Sequence, residues 1–310
     1  MITARSAVLF IIFNRPDTTT QVFAQIRAAR PPRLYIAADS ARPKKPGEKE
    51  LCDQTRAIAT QVDWPCEVKT LFREKNLGCK EAVAGAVTWF FTHEPEGIVL
   101  EDDCVPHPEF FSFCDTLLER YRDDRRVRHI TGSNLQHGQK RGNASYYFSR
   151  ISHVWGWAGW RRVWAEYDKE LKNYRPRDVE KFLKPMFRDP LIAQNWGDMA
   201  EEIRRHKVDT WDYQLGVINL MKDGVAIIPA KNLISNIGFR ADGTHTLDTT
   251  NINASLPTEP LGPLTHPAEV VADQDADFYT LNRDFALDWK RRKNRKWYRK
   301  VRRFFRRLFY

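Results

Sequence analysis

The chain has 310 residues, 42% of them hydrophobic and 12% aromatic, which reads as globular and can bury one substantial core, with or without a small appendage. Its net charge of +10 looks like a nucleic-acid footprint, but twelve Lys or Arg and no acid fall within residues 290–310, leaving residues 1–289 at about −2. An enzyme-like body with a basic tail is therefore expected, with no nucleic-acid partner. The five cysteines (Cys52, Cys66, Cys79, Cys104 and Cys114) are odd in number and lack metal-ligand spacing. That argues against a disulfide framework or a zinc site and fits a reducing cytosol.

The apolar run 7–13 is too short for a membrane span and has no small-residue cleavage site, so it reads as a strand buried on both faces. Asn14-Arg15-Pro16-Asp17 follows as a turn. A helix is predicted over 18–29, stopped by Pro31-Pro32, then a strand over 34–38. Residues 40–50 form a Pro- and Lys-rich loop, 49–61 a weaker helix, 67–72 a strand, 73–78 a loop, 80–91 a helix and 97–100 a fourth strand. Strands alternating with helices in this way indicate an open, mostly parallel α/β sheet, Rossmann-like, whose ligand lies at the carboxyl ends of its strands.

Beyond His107 the spacing predicts a helix through residue 121 and strands over 127–131 and 146–148. A tryptophan-rich block at 155–164, helices over 191–206 and 211–222, and a strand over 225–228 follow. Residues 256–289 read as an extended arm or linker, and 290–310 as a basic amphipathic tail. The catalytic domain is placed at 1–255, with a donor half to residue 105 and an acceptor half from residue 106.

The fourth strand ends in three consecutive carboxylates, Glu101-Asp102-Asp103. Three negative charges within a few ångströms raise the pKa of at least one of them, and a divalent ion with a diphosphate relieves the conflict. Mg²⁺ or Mn²⁺ takes one or two carboxylates plus phosphate oxygens, which suits such a strand end.

The Val99-to-Asp103 segment followed by Pro108-Glu109-Phe110-Phe111 resembles the Glu-Asp-Asp motif of the N-acetylglucosaminyltransferase I family and its bacterial relatives. Those are inverting glycosyltransferases of the GT-A type. The resemblance extends over residues 7–246. It implies Asn14 and Arg15 near the nucleotide, Asp39 on the base, and Asn76, Gly78 and Lys80 in the loop and helix start leading to the metal. Trp155, Trp157 and Trp160 would lie on the acceptor side, the 229–238 block with Thr244-His245-Thr246 would close over the donor, and the Asp209-to-Asp212 segment would hold the catalytic base. Asp103 becomes the direct metal ligand, with Glu101 and Asp102 supporting the ribose or the metal's waters. Asp212 is the base and Asp209 its competitor three positions earlier. His245 is a further candidate ligand of the metal or diphosphate.

Independent chemistry fits these roles, since transfer with inversion needs a carboxylate to take the acceptor proton and a cation to stabilise the departing diphosphate. The expected reaction moves a sugar from a nucleoside-diphosphate sugar to a glycan or lipid-linked acceptor, in surface polysaccharide or lipopolysaccharide synthesis. A second reading is a sugar-phosphate nucleotidyltransferase. It shares the sheet and the acids but is expected to carry a glycine-rich loop after the first strand, where Asn14-Arg15-Pro16-Asp17 has none. A third is a non-catalytic protein that binds nucleic acid or an anionic membrane through its basic tail. In that tail Trp297, Val301, Phe304 and Leu308 recur at near-helical spacing among Arg and Lys, the pattern of a helix lying in an anionic membrane interface. A location on the inner face of a bacterial inner membrane follows from that pattern.

Overall fold

The computed structural model describes residues 3–240 and 250–294. Strand β1 (Val8–Ile12) is apolar throughout because both of its faces are covered. Helix α1 (Pro16–Ala29) begins with a proline in its first turn and buries Val22, Phe23 and Ile26. It ends at Arg30, which adopts a left-handed conformation and returns its N–H to the Ile26 carbonyl. Then come β2 (Arg33–Ala38), α2 (Glu48–Ala59), β3 (Glu67–Phe72), α3 (Cys79–His93) and β4 (Glu96–Glu101).

A short β5 (Cys104–Pro106) and α4 (Glu109–Arg120) lead to β6 (Val127–Thr131), β7 (Tyr146–Ser149) and β8 (Trp157–Trp160). Helices α5 (Arg161–Trp164), α6 (Pro176–Leu183), α7 (Pro190–Arg204) and α8 (Asp212–Met221) precede β9 (Val225–Pro229) and β10 (Ile234–Asn236). The described part closes with α9 (Gln274–Asp284) and α10 (Leu287–Asn294).

Eight strands form one sheet in the order β3-β2-β1-β4-β8-β6-β9-β7. The first four are parallel, β8 runs against both β4 and β6, β9 is parallel to β6, and β7 is antiparallel to β9. The mostly parallel α/β sheet expected from the sequence is present. Because the chain leaves β1 for β2 on one side and returns to β4 on the other, loops diverge at the carboxyl ends of β1 and β4, the position where open α/β sheets form a crevice.

Three features differ from the sequence reading. The tryptophan block is not a surface wall: it contains β8, inserted at the centre of the sheet, with Trp157 and Trp160 only 3% and 2% exposed. Strands β5 and β10, absent from the sequence reading, pair antiparallel as a separate two-stranded ribbon. Residues 256–289 include α9, which is anchored on β7 by Ser149 and by the Arg150 N–H, both donating to the buried Asp277. A second apolar cluster, formed mainly by α6, α7 and α8 and including Trp196, Val217, Leu281 and Leu287, packs these C-terminal helices onto the body. The tail helix expected beyond residue 294 lies outside the described residues.

Candidate active site at the carboxyl ends of β1 and β4

Register places Ile11 beside Glu101, so the acidic triplet begins at the last paired position of β4 and faces the turn after β1. The three carboxylates have different surroundings. Asp102 is 2% exposed; its Oδ2 accepts the Phe13 N–H at 3.0 Å and its Oδ1 lies 2.5 Å from an Arg15 nitrogen. It anchors the post-β1 turn to β4. Asp103 Oδ2 accepts from the other Arg15 nitrogen at 2.8 Å. Glu101 has no hydrogen-bond or ion-pair partner among the described residues. Burial, then repulsion from Asp103 and Asp102, pushes its carboxyl well above the usual range.

The triplet is thus tolerated in part without a bound ion, contrary to the expectation from the sequence: Arg15 pairs with two of the three acids, although burial still raises Asp102 and, more strongly, the unpaired Glu101. Burial disfavours the Arg15 cation, but attraction from Asp102 and Asp103 outweighs it and holds the guanidinium charged.

The wall on one side is the ribbon. Asn236 pairs with Cys104, the Ile237 N–H donates to the Asp103 carbonyl at 2.9 Å, and the Gly238 N–H is held by the Asn236 side chain at 2.8 Å. Gly238 is pressed so closely on Asp103 that a β-carbon there would overlap its carboxylate. The 232–238 block therefore packs directly against the triplet. Phe239 follows and meets Trp155 edge-on, ring centroids 5.5 Å apart, so of the three tryptophans only Trp155 borders this wall. Arg240 closes the segment by pairing with Asp17 of α1.

The opposite wall brings together the start of α3 and the start of α8. A β-carbon on Gly78 would lie 3.7 Å from Asp209 Oδ2. Burial, then the nearby charges of Glu101, Asp209 and Asp212, pushes the Cys79 thiol up to about 12. Glu101, Asp209 and Asp212 thus share one electrostatic neighbourhood with Arg15. Asp212, the first residue of α8, accepts a hydrogen bond from Thr210, while Asp209 is exposed. Trp157, stacked on Trp211 at 5.9 Å, supports this segment from the core. Tyr167 donates to the Trp211 carbonyl at 3.0 Å, and burial with the field of Asp212 raises its pKa.

Several expected ligand contacts are otherwise engaged. Asp39 accepts the N–H groups of Ser40, Leu77 and Gly78, which tie the end of β2 to the loop before α3; burial raises its carboxyl against their pull. Asn76 donates to the Ser40 carbonyl at 2.6 Å and reinforces the same tether. Asn14 donates to Glu48 at 2.8 Å. The Arg42 guanidinium beside Glu48 then holds that carboxyl down to about 2. Lys80, one residue past Cys79 on the helix, turns away and pairs with Glu170 at 2.9 Å instead of facing the acids. His245 lies outside the described residues.

Gly238, Phe239, Cys79 and Tyr167 were not singled out from the sequence as site residues. Only the glycine carried a signal, as the last residue of the block expected to close over the donor.

The acids fit a hard cation. No group of three or more His, Cys, Asp or Glu is gathered as a metal cage among the described residues. An ion of the Mg²⁺ or Mn²⁺ kind needs only one or two carboxylates with water and phosphate oxygens completing its shell. Asp103, if it gave up Arg15, and the partnerless Glu101 would supply that set, whereas Asp102 is held by both the Phe13 N–H and Arg15.

No known family model and no curated protein matches the chain. Among solved structures it is similar to a UDP-glucose pyrophosphorylase complexed with UDP-glucose, at 8% identity and a TM-score of 0.37, covering 74% of this chain and 90% of that one. It is also similar to the inositol-1-phosphate CTP transferase from T. maritima, at 8% identity and 0.37, covering 74% and 86%. HddC from Yersinia pseudotuberculosis matches at 11% identity and 0.31, over 52% of this chain and 80% of that one. The first two carry the names of a pyrophosphorylase and a CTP transferase, which do not match the expected inverting glycosyl transfer.

Proposed function

We propose that the chain is a metal-dependent nucleotidyltransferase that joins a sugar phosphate to a nucleotide. The observation that carries this reading is Arg15 wedged between Asp102 and Asp103 while Glu101 beside them has no partner. Such a site lacks one cation and holds one arginine able to change partners. A divalent ion bound by Asp103 and Glu101 would neutralise phosphate charge. Arg15, released from Asp103 but still held by Asp102, would then meet the phosphate oxygens with its free edge. The turn after β1 has no glycine, and a guanidinium takes the place that backbone amides hold in a glycine-rich loop.

In the reaction an oxygen of the sugar phosphate attacks the α-phosphorus of a nucleoside triphosphate. The new P–O bond forms as the bond to pyrophosphate breaks, and pyrophosphate departs with the electron pair. The attacking oxygen is already ionised at neutral pH, so no strong base is required; positioning and charge neutralisation suffice. Asp212, engaged by Thr210, orients the far side of the site, and the Trp155–Phe239 pair bounds the face where the sugar would lie.

The test is pyrophosphate release from each common nucleoside triphosphate with a panel of hexose 1-phosphates and Mn²⁺. Release dependent on both sugar phosphate and metal is expected, and Asp103→Ala should lower it by about a hundredfold or more. Folded, metal-replete protein that releases no pyrophosphate with any pair overturns the reading.

A further inference from the structure

We propose that the α9–α10 end of the molecule docks on an anionic lipid surface. Helix α10 is fastened to the body through Leu287, which is fully buried in the second apolar cluster. Its outer face is not apolar core material. Trp289 is 50% exposed, with the Lys293 ammonium 3.8 Å from its ring centroid, and Arg292 is exposed. On α9, Phe278 is 36% exposed beneath the Arg291 guanidinium.

Three acids near this face are already paired, while Asp284 at the end of α9 carries no ion pair among the described residues. Asp189 and Asp288 are both bound by Arg291, and Asp275 by Arg188. Arg292 and Lys293 are left facing outward beside an exposed indole.

The sequence that follows α10 has the same chemistry. Residues 295–310, outside the described part, contain eight Lys or Arg, six aromatic residues and no acid, while residues 1–289 sum to about −2. A nucleic-acid duplex would be met by the cations alone, and a single strand by cations with rings stacked on its bases, which the oligonucleotide arm below tests. Cations interleaved with large aromatic rings match a bilayer interface, where rings sit at headgroup depth and each nearby Lys or Arg adds attraction to anionic lipid. No described helix is long and apolar enough to cross a membrane, so the contact is with the surface.

The experiment is co-sedimentation of the full chain with phosphatidylcholine vesicles, with vesicles containing phosphatidylglycerol, and, separately, titration with a single-stranded oligonucleotide. Binding is expected to the phosphatidylglycerol vesicles, weakened by salt, with little on phosphatidylcholine. Trp289→Ser and the pair Arg292→Glu with Lys293→Glu should each lower that binding on the order of tenfold at an unchanged melting temperature. If charge reversal unfolds the helix, Arg292→Gln with Lys293→Gln replaces it, with a smaller loss expected. The proposal is overturned if the substituted chains bind like the original, if both vesicle types bind equally, or if the oligonucleotide binds more tightly than the anionic vesicles.

Discussion

Arg15 is the residue on which the acidic corner balances, and its charge can be tested without any turnover. Its guanidinium competes with a divalent ion for Asp103, so Arg15→Met should bind Mn²⁺ more tightly in the absence of nucleotide, on the order of tenfold, and bind a nucleoside triphosphate more weakly by a similar factor. Calorimetric titration with Mn²⁺ alone and then nucleotide separates the two effects. Unchanged Mn²⁺ affinity would mean that Arg15 is only a structural brace. Removing it also leaves Asp102 buried without its cation, so a lower melting temperature is expected, with Arg15→Lys as the milder control. Gly238 is a second test. An alanine methyl there must displace the Asp103 carboxylate, and Gly238→Ala should cost about 1–3 kcal/mol and abolish Mn²⁺ binding measured the same way. The acids were legible in the sequence because three carboxylates at the end of an apolar strand need an explanation. That Arg15 supplies much of it was not, because the two segments lie 87 and 88 positions apart.

Among the elements, α9 carries a pH-sensitive anchor. Burial pushes the Asp277 carboxyl up to about 7, even though Ser149 and the Arg150 N–H donate to it. The unfolded value is about 3.9, so the folded state binds more protons between those two values, and stability falls as pH rises through that window. Asp277→Asn should remove this slope. Urea unfolding should find the variant more stable than the original by roughly 1–3 kcal/mol above about pH 7, with no such advantage below about pH 4. If the original shows no slope across the window, Asp277 is already ionised in the folded state. The strands β1, β2, β3 and β4 were readable because each is an apolar or alternating run of five or six residues bounded by turn residues. Strand β8 was not. Its Trp-Ala-Gly-Trp sequence suits stacking on a sugar equally well, and only the pairing of Ala158 with Ile98 of β4 on one side and Ile130 of β6 on the other shows that it lies between two strands. Strands β5 and β10 are three residues each, with partners about 130 positions apart, and no local pattern marks them.

For the whole molecule, the first hundred residues were readable as alternating strands and helices, and the carboxyl-end location of the site followed from that topology. The division into a donor half and an acceptor half does not describe how the sheet is knit. Strand β4, which presents the acids, is paired on one side by β1 and on the other by β8, some sixty residues later. As the protein emerges from the ribosome, β4 stays an open edge, its free N–H and C=O groups available to any passing strand, until residue 160 has appeared. A nascent chain paused before that point would expose the edge of β4 together with the acidic corner at its end. Quality control during synthesis would therefore meet this protein at its most vulnerable just before the tryptophans arrive.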